Sequence, residues 1–286
     1  MKIIANSTFD EERALYGQRG IKVTSCNFDG PADGESALKE CAEIEVERCF
    51  FNLRYPFWHV TNAVISESNM TDKCRAALWY DKNVTLIRCT MGGIKALREC
   101  EGVTLESCKI VSPEFLWRCE RVKLINSTLE SEYPLFECRD VEIDNLTMKG
   151  KYSFQYTENV VIKNSVLNTK DAFWHAKNVT VVDSVVCGEY LGWYSENVTF
   201  IRCKIIGTQP LCYCKGLVLE DCTMEETDLS FERSEVKASV VGSILSVKNP
   251  LSGSIVADRI DELIQQREYV DPSLVIIQAN VLKTSK

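Results

Sequence analysis

The stretch Val84-Thr85-Leu86-Ile87-Arg88-Cys89-Thr90-Met91 decides the fold. Its Val84, Leu86, Cys89 and Met91 return 19 residues on as Val103, Leu105, Cys108 and Ile110, then as Val122, Leu124, Ser127 and Leu129. The pattern continues from Val141, Val160, Val179, Val198, Leu217, Val236 and Ile255. It ends at Leu274, Ile276, Ala279 and Val281. Upstream, Ile21, Ile44 and Ala63 lead to Val84 by steps of 23, 19 and 21. This reading gives fourteen copies.

With Val84 and its equivalents as position 0, positions 0 and +2 are apolar, as on one face of a short strand. Positions +5 and +7 are small then apolar, so the chain bends between +2 and +5. Position −1 is often Asn, Asp or Gly (Asn62, Asn83, Gly102, Asp140, Asn159, Asn178, Asn197, Gly216), residues that tolerate the left-handed conformation of a tight corner. Each copy is then one coil of short strands and corners. A coil cannot bury its apolar face alone, so stacking supplies the core. The expected fold is all-β: a single-stranded, right-handed parallel β-helix, or β-solenoid, of about fourteen coils. The hand follows from the preference of parallel crossovers. Stacked helical hairpins fit less well, because helix-length apolar patterns are missing.

One domain over 1–286 is expected, with 1–20 as an N-terminal cap, 21–282 as coils and 283–286 as a disordered tail. Within the cap, Asp10 to Tyr16 reads as a helical turn over the open end; near the other end, Asp261 to Arg267 reads as a looser connection to the last coil. Asp29-Gly30-Pro31-Ala32-Asp33-Gly34-Glu35 reads as turns, and an insert is expected near Thr71-Asp72-Lys73-Cys74.

The formal net charge is −8, from 41 acidic and 33 basic residues. That argues against nucleic acid and anionic membrane as partners. No apolar run has the length of a membrane span. The start, Met1 to Asn6, lacks the apolar core of an export signal, so a cytoplasmic location is expected. Fourteen cysteines raise the question of disulfides or zinc. The repeat answers it. Cys26, Cys49, Cys89, Cys108, Cys203 and Cys222 occupy position +5, and Cys41, Cys100, Cys119, Cys138 and Cys214 occupy position −3, in columns shared with Ser, Ala, Thr and Val. They read as small buried side chains in an internal ladder. Paired Cys-x-x-Cys knuckles are missing, so no metal or cofactor is expected. Free thiols in such number suit a reducing compartment.

The stretch before each corner carries the candidate site. Position −2 is charged in every coil from Lys82 to Lys215. Regular alternation would then turn −4, −6 and −8 outward and −3, −5 and −7 inward. Trp58, Trp79, Trp117, Phe136, Trp174, Trp193 and Phe231 would form a core ladder. The outward strip would read Tyr55, Phe57, His59; Tyr152, Phe154, Tyr156; Asp171, Phe173, His175; Tyr190, Gly192, Tyr194; Gln209, Leu211, Tyr213. Gly192 would leave a notch beside Tyr190, Tyr194, Phe173 and His175. A break in parity would instead turn the Leu and Phe column in and the Trp ladder out.

Aromatic side chains edged by carboxylates and hydroxyls suit a carbohydrate. The candidate ligand-binding residues are Tyr152, Tyr156, Phe173, His175, Tyr190, Tyr194 and Tyr213, with Arg54, His59 and Arg75 in the first coils. His175 would have Tyr156 and Tyr194 about 5 Å away on the neighbouring coils. His59 lies six coils earlier and belongs to another site. Asp171 and His175 are four residues apart on one strand, too far for a dyad. Asp171 with Glu189 would suit the carboxyl pair of a retaining glycosidase. Asp171, Glu189 and His175 are therefore the candidate catalytic residues, and Glu114 with Glu132 offers a similar pair. An oligomer contact would use the strip equally well, as in a scaffolding homo-oligomer, and paired carboxylates on a solenoid also occur as a plain solvated edge.

Stretches that the repeat does not demand carry a resemblance: Phe9 to Tyr16, Phe28 to Ser36, Asn52 to His59, Cys74 to Tyr80, Lys170 to His175 and Gly207 to Tyr213. The chain resembles the bacterial domain-of-unknown-function family 3737. That family is similar to the pectin-lyase-like right-handed β-helices, many of which cleave acidic polysaccharides, so the resemblance implies that fold and a link to carbohydrate. It implies no catalytic set. Asn168-Thr169-Lys170-Asp171 only brushes the Asn-Thr-Asp motif of polygalacturonase-type enzymes, whose Asp-Asp and Gly-His-Gly motifs are absent. No calcium-binding carboxylate cluster or arginine base of the pectate lyases is evident.

Overall fold

The computed structural model describes residues 1–284. It is an all-β parallel solenoid of about 15 turns with 19-residue spacing. The chain forms two compact units, Met1–Thr147 and a second from Met148 onward.

In the first unit the strand Lys82–Ile87 pairs in parallel with Thr61–Ser66 before it and Glu101–Glu106 after it. Val84 lies between Ala63 and Val103, and Leu86 between Ile65 and Leu105, all nearly or fully buried. In the second unit Glu158–Lys163, Lys177–Val182 and Glu196–Ile201 repeat the arrangement. Alternation thus holds at positions 0 and +2. Burying each such side chain contributes roughly 1.5–3 kcal/mol, realised only because the next coil covers it.

The bend expected between +2 and +5 sits at +4. Arg88, Ser107, Asn126, Asn164, Asp183 and Arg202 are left-handed there, with φ from 49° to 55°. Position −1 is also left-handed, at 53° to 58° for Asn83, Asn159, Asn178 and Asn197, but it lies inside the long strand. The ladder skips it, pairing Lys82 with Glu101 and Val84 with Val103. The asparagines bond to one another across coils, as Asn178 Nδ2 to Asn159 Oδ1 at 3.1 Å and Asn197 Nδ2 to Asn178 Oδ1 at 3.2 Å.

All the cysteines are free thiols, and all except half-buried Cys187 are buried. The two Cys columns have a specific task. At +5 the backbone N–H of one coil turns inward and donates to the side chain of the next: Cys26 to Cys49 Sγ, Cys49 to Ser68 Oγ, Cys108 to Ser127 Oγ and Ser165 to Ser184 Oγ. At −3, Cys100 donates to Cys119 Sγ and Cys214 to Ser234 Oγ. A buried N–H must find an acceptor, and Cys and Ser supply one in little space.

Several expectations change. Residues 1–20 are a full coil rather than a cap: Lys2–Ala5 pairs with Ile21–Thr24 and Thr8–Phe9 with Asn27–Phe28. Arg13, Leu15 and Gly17 donate their N–H groups to the Glu35, Ala37 and Lys39 carbonyls, so this segment is a coil corner and not a helical turn. Lys2 at position 0 hid the copy. At the far end Val236 pairs with Gly253 and Gly253 with Val275, steps of 17 and 22 residues, so Ile255 and Leu274 are not the equivalents of Val236. The stretch from Asp261 is not a looser connection at its start, because Ser252–Ile264 is one strand. Lys283 and Thr284 belong to the last strand, Val275–Thr284; Ser285 and Lys286 lie outside the described residues.

Asp81 departs from its column. It occupies position −3, fully buried; Oδ1 accepts the Val60 N–H at 2.7 Å while Oδ2 has no hydrogen-bond partner. Burial holds its carboxyl well above the ordinary value of 3.8. Above that pH the unfolded chain gives up a proton that the folded chain keeps, so stability falls as pH rises. Asp81→Asn keeps the shape and cannot ionise. Its stability in denaturant should match wild type below pH 3.8 and pull ahead above it, by up to about 1.4 kcal/mol per pH unit until the folded-state value is reached. Parallel curves for the two proteins would contradict this. A thiol reagent on the native protein should modify Cys187 alone. Every other cysteine is buried away from the reagent, and burial also pushes Cys41 and Cys49 up to about 11 and Cys74 and Cys212 up to about 12, which leaves little reactive thiolate at those four. Rapid labelling of several thiols would refute the ladder.

Candidate functional site

In the second unit the stretch before each long strand is a corner, not a strand, whereas three coils of the first unit place short parallel strands there, Phe57–Trp58, Leu78–Trp79 and Leu97–Arg98. In the second unit, residues at −8, −6 and −4 are all left-handed: 46°, 60° and 57° for Tyr152, Phe154 and Tyr156, and 50°, 61° and 55° for Asp171, Phe173 and His175. Successive amides then bond to different neighbours. Asp171 N–H and His175 N–H donate forward to the Glu189 and Trp193 carbonyls, while Phe173 N–H donates back to Ser153. Alternate left-handed residues break the two-residue period of an extended chain. Side chains leave in pairs: −7 and −6 inward, −5 and −4 outward, −3 inward.

Regular alternation therefore holds at −4 and fails at −5 and −6. Phe57, Leu78, Leu97, Leu116, Leu135, Phe154, Phe173 and Leu211 at −6 are fully buried. Phe173 is thus a core residue, stacked on Phe154 at 4.8 Å, and not part of a ligand surface. Gly192 is no surface notch: it is buried with φ 74°, and a Cβ there would lie 2.9 Å from Leu211 Cδ2. Trp58, Trp79, Trp117, Trp174 and Trp193 sit half-buried on the outside. Phe231 stays in the core because its corner is shifted by one residue, with Leu229, Phe231 and Arg233 left-handed.

The −4 column of the second unit forms a ladder. Tyr156 and His175 stack at 5.0 Å, His175 and Tyr194 at 5.3 Å, and Tyr194 and Tyr213 at 4.8 Å, with planes within 12°. Beside it Trp174 and Trp193 stack at 5.5 Å. Their indole N–H groups donate to the Tyr190 and Gln209 carbonyls of the next coil. Trp193 meets Tyr190, Tyr194 and Tyr213 edge-on. Each stacked or edge-on pair contributes about 0.5–1.5 kcal/mol, so the rings hold one another rigidly. Their faces cover each other; what reaches solvent is a row of edges, with Tyr156 51% and Tyr194 46% exposed. Tyr152 and Tyr190 are half-buried at the rim, Tyr190 under the Lys170 ammonium at 5.6 Å. Burial, with Glu232 close by, pushes the Tyr213 phenol up and keeps it a hydrogen-bond donor.

Of the candidate catalytic residues, Asp171 and Glu189 lie within reach of each other's charge. Asp171 is 6% exposed, and burial pushes its carboxyl up, against Lys170 and with Glu189. Glu189 is held by Lys170 at 2.9 Å. His175 is clasped between two tyrosines, and among the described residues no carboxylate is bonded to it. Glu114 is tied to Arg98 at 3.2 Å and Lys95 at 3.8 Å. Among the described residues no group of three His, Cys, Asp or Glu could hold a metal ion.

In the first unit His59 stacks on Tyr80 at 5.1 Å and Trp58 on Trp79 at 5.6 Å. Arg54 is spent on Asp33 and Glu35, at 3.4 and 3.6 Å. Arg75 is exposed, at the end of the short turn Asp72–Cys74. Trp174 and Trp193 are the surface residues that regular alternation hid. Lys39, Arg98 and Gln155 share their column, and that polarity was the available signal.

A family profile matches residues 2–278 and is described as a protein of unknown function, DUF3737. The chain belongs to that family. No curated protein matches it. Among solved structures it is similar to PfbA, a surface adhesin of Streptococcus pneumoniae, at 10% identity and TM-score 0.36, covering 84% of each chain. It is also similar to a GH136 lacto-N-biosidase from Eubacterium ramulus, at 8% identity and TM-score 0.33, covering 95% of this chain and 62% of that one. A point mutant of the periplasmic alginate epimerase AlgG shows 7% identity and TM-score 0.27, over 94% and 73%. Likenesses at this level carry no functional argument.

Gly192→Ala should cost about 1–3 kcal/mol, because the methyl group crowds Leu211 in a left-handed conformation. Chemical denaturation that finds the variant as stable as wild type would place Gly192 outside the core.

Proposed function

We propose that the Tyr156–His175–Tyr194–Tyr213 ladder binds an extended glycan or glycoconjugate lying along it, without turning it over. The ladder itself carries the reading: one aromatic ring per coil, three phenols and one imidazole in line, each edge to solvent. Hydroxyl-bearing sugar units match such a row. Phenol and imidazole donate to and accept from sugar hydroxyls, while ring edges meet the apolar C–H faces. Because the rings are locked by stacking, little side-chain freedom is lost on binding. Face-on stacking of a sugar is confined to the ends of the ladder, since the internal faces are covered.

Catalysis is the weaker reading. The raised Asp171 carboxyl suits a proton donor. Its partner Glu189, however, is paired with Lys170, and among the described residues no carboxylate is bonded to His175.

Tyr194→Phe with Tyr213→Phe keeps the stack and removes two hydroxyls. On a glycan array this double variant should lose at least tenfold in affinity for any ligand that wild type retains, while Asp171→Asn binds as wild type. Undiminished binding by the double variant would remove the ladder from the site.

A further inference from the structure

The last strand, Val275–Thr284, pairs with Ser252–Ile264 along one edge; among the described residues no strand pairs with the other. That open edge ends the core abruptly. Ile255 and Ile260, one coil below, are fully buried, but Leu282, which stacks on Ile260, is 41% exposed, and Ile277 above Ile255 is half-open. Outward-facing Ile276 and Val281 are 62% and 45% exposed. The strand has no proline, and its first charge is Lys283. Long, apolar, open edges of this kind recruit another strand.

The inward residues of this strand are arranged symmetrically about its bend. Below it, burial passes from Ala257 to Ile260, so the chain turns at the intervening residues, which Asn280 and Val281 overlie. Ile277 and Ala279 precede the turn on the core side; Leu282 and Thr284 follow it. A two-fold axis between Asn280 and Val281 would run a second copy of the strand antiparallel to the first. It sets Leu282 against Ala279 and Thr284 against Ile277, core side to core side and large against small. The N-terminal strand Lys2–Ala5 offers no such match, with four residues and the charged Lys2 stacked beneath Ile21.

We infer that two copies of this chain associate through their C-terminal coils, pairing Val275–Thr284 antiparallel about a two-fold axis so that each covers the open core of the other. An interface of this kind is isologous and closes at two copies.

Light scattering on the full chain should give twice the monomer mass. Leu282→Lys, a change at an exposed position, should weaken association at least tenfold, and its melting temperature should match that of wild type once both are diluted to monomers. Gln278→Cys with Lys283→Cys should give a reducible covalent dimer, because the pairing sets each new thiol opposite the other in the partner. A monomer at every concentration would overturn the inference. So would an open-ended series of oligomers, which would mean that the N-terminal edge of a second copy is the partner. A dimer that neither cross-links nor responds to Leu282→Lys would assign the contact to another surface. Glycan binding is read separately and is unaffected by any of these outcomes.

Discussion

Every coil must return to its starting direction while passing all its backbone amides to the coils on either side. In the first unit Phe57–Trp58, Leu78–Trp79 and Leu97–Arg98 form a short parallel sheet; in the second unit the solution is instead a corner with left-handed residues at alternate positions, as at Asp171, Phe173 and His175. A non-glycine residue gives up roughly 1–2 kcal/mol in that conformation. The loss is offset twice. The corner N–H groups find carbonyls on neighbouring coils, where an unmet buried amide would cost about 1–3 kcal/mol. The same geometry drives a Phe or Leu fully into the core.

That constraint also builds the surface. Two outward residues in succession, at −5 and −4, place a tryptophan beside a tyrosine or histidine, and stacking of coils turns each into a ladder. Where an N–H turns inward at −3 and +5, the constraint asks for a small side chain able to accept a hydrogen bond. Cys and Ser answer it. Asp81 answers it with one oxygen and leaves the other unmet. Cysteine columns, a buried acid and an aromatic strip thus follow from one backbone rule.

Much of this was legible in the sequence. Residues at 0 and +2, such as Val84 and Leu86, carry their alternation openly because they lie in extended strands. The Cys columns are plain once the period is known, and the outward direction of Tyr156, His175 and Tyr194 survives because −4 is outward under either geometry. What alternation misplaced was Phe173, Gly192 and the tryptophans. It assumed an extended chain where φ is positive at every second residue, and only Gly192 announces that conformation by its identity. Column composition was the better guide: −6 from Phe57 to Leu211 holds no polar residue, while −5 includes Lys39, Arg98 and Gln155. Lys2 hid the first coil because burial relaxes at an open end, and the steps of 17 and 22 near Gly253 hid the last register.

The central claim is that the corner presents one edge-exposed aromatic ladder with His175 clasped inside it. The chain has two histidines, so the imidazole C–H protons are readily assigned by NMR with a His59→Gln variant. The account predicts that the His175 signals lie upfield of a free imidazole, shifted by ring currents from both sides. Tyr156→Leu and Tyr194→Leu should each move them partway back. Signals at the free-imidazole position, or indifferent to either substitution, would contradict the ladder and the corner geometry that builds it.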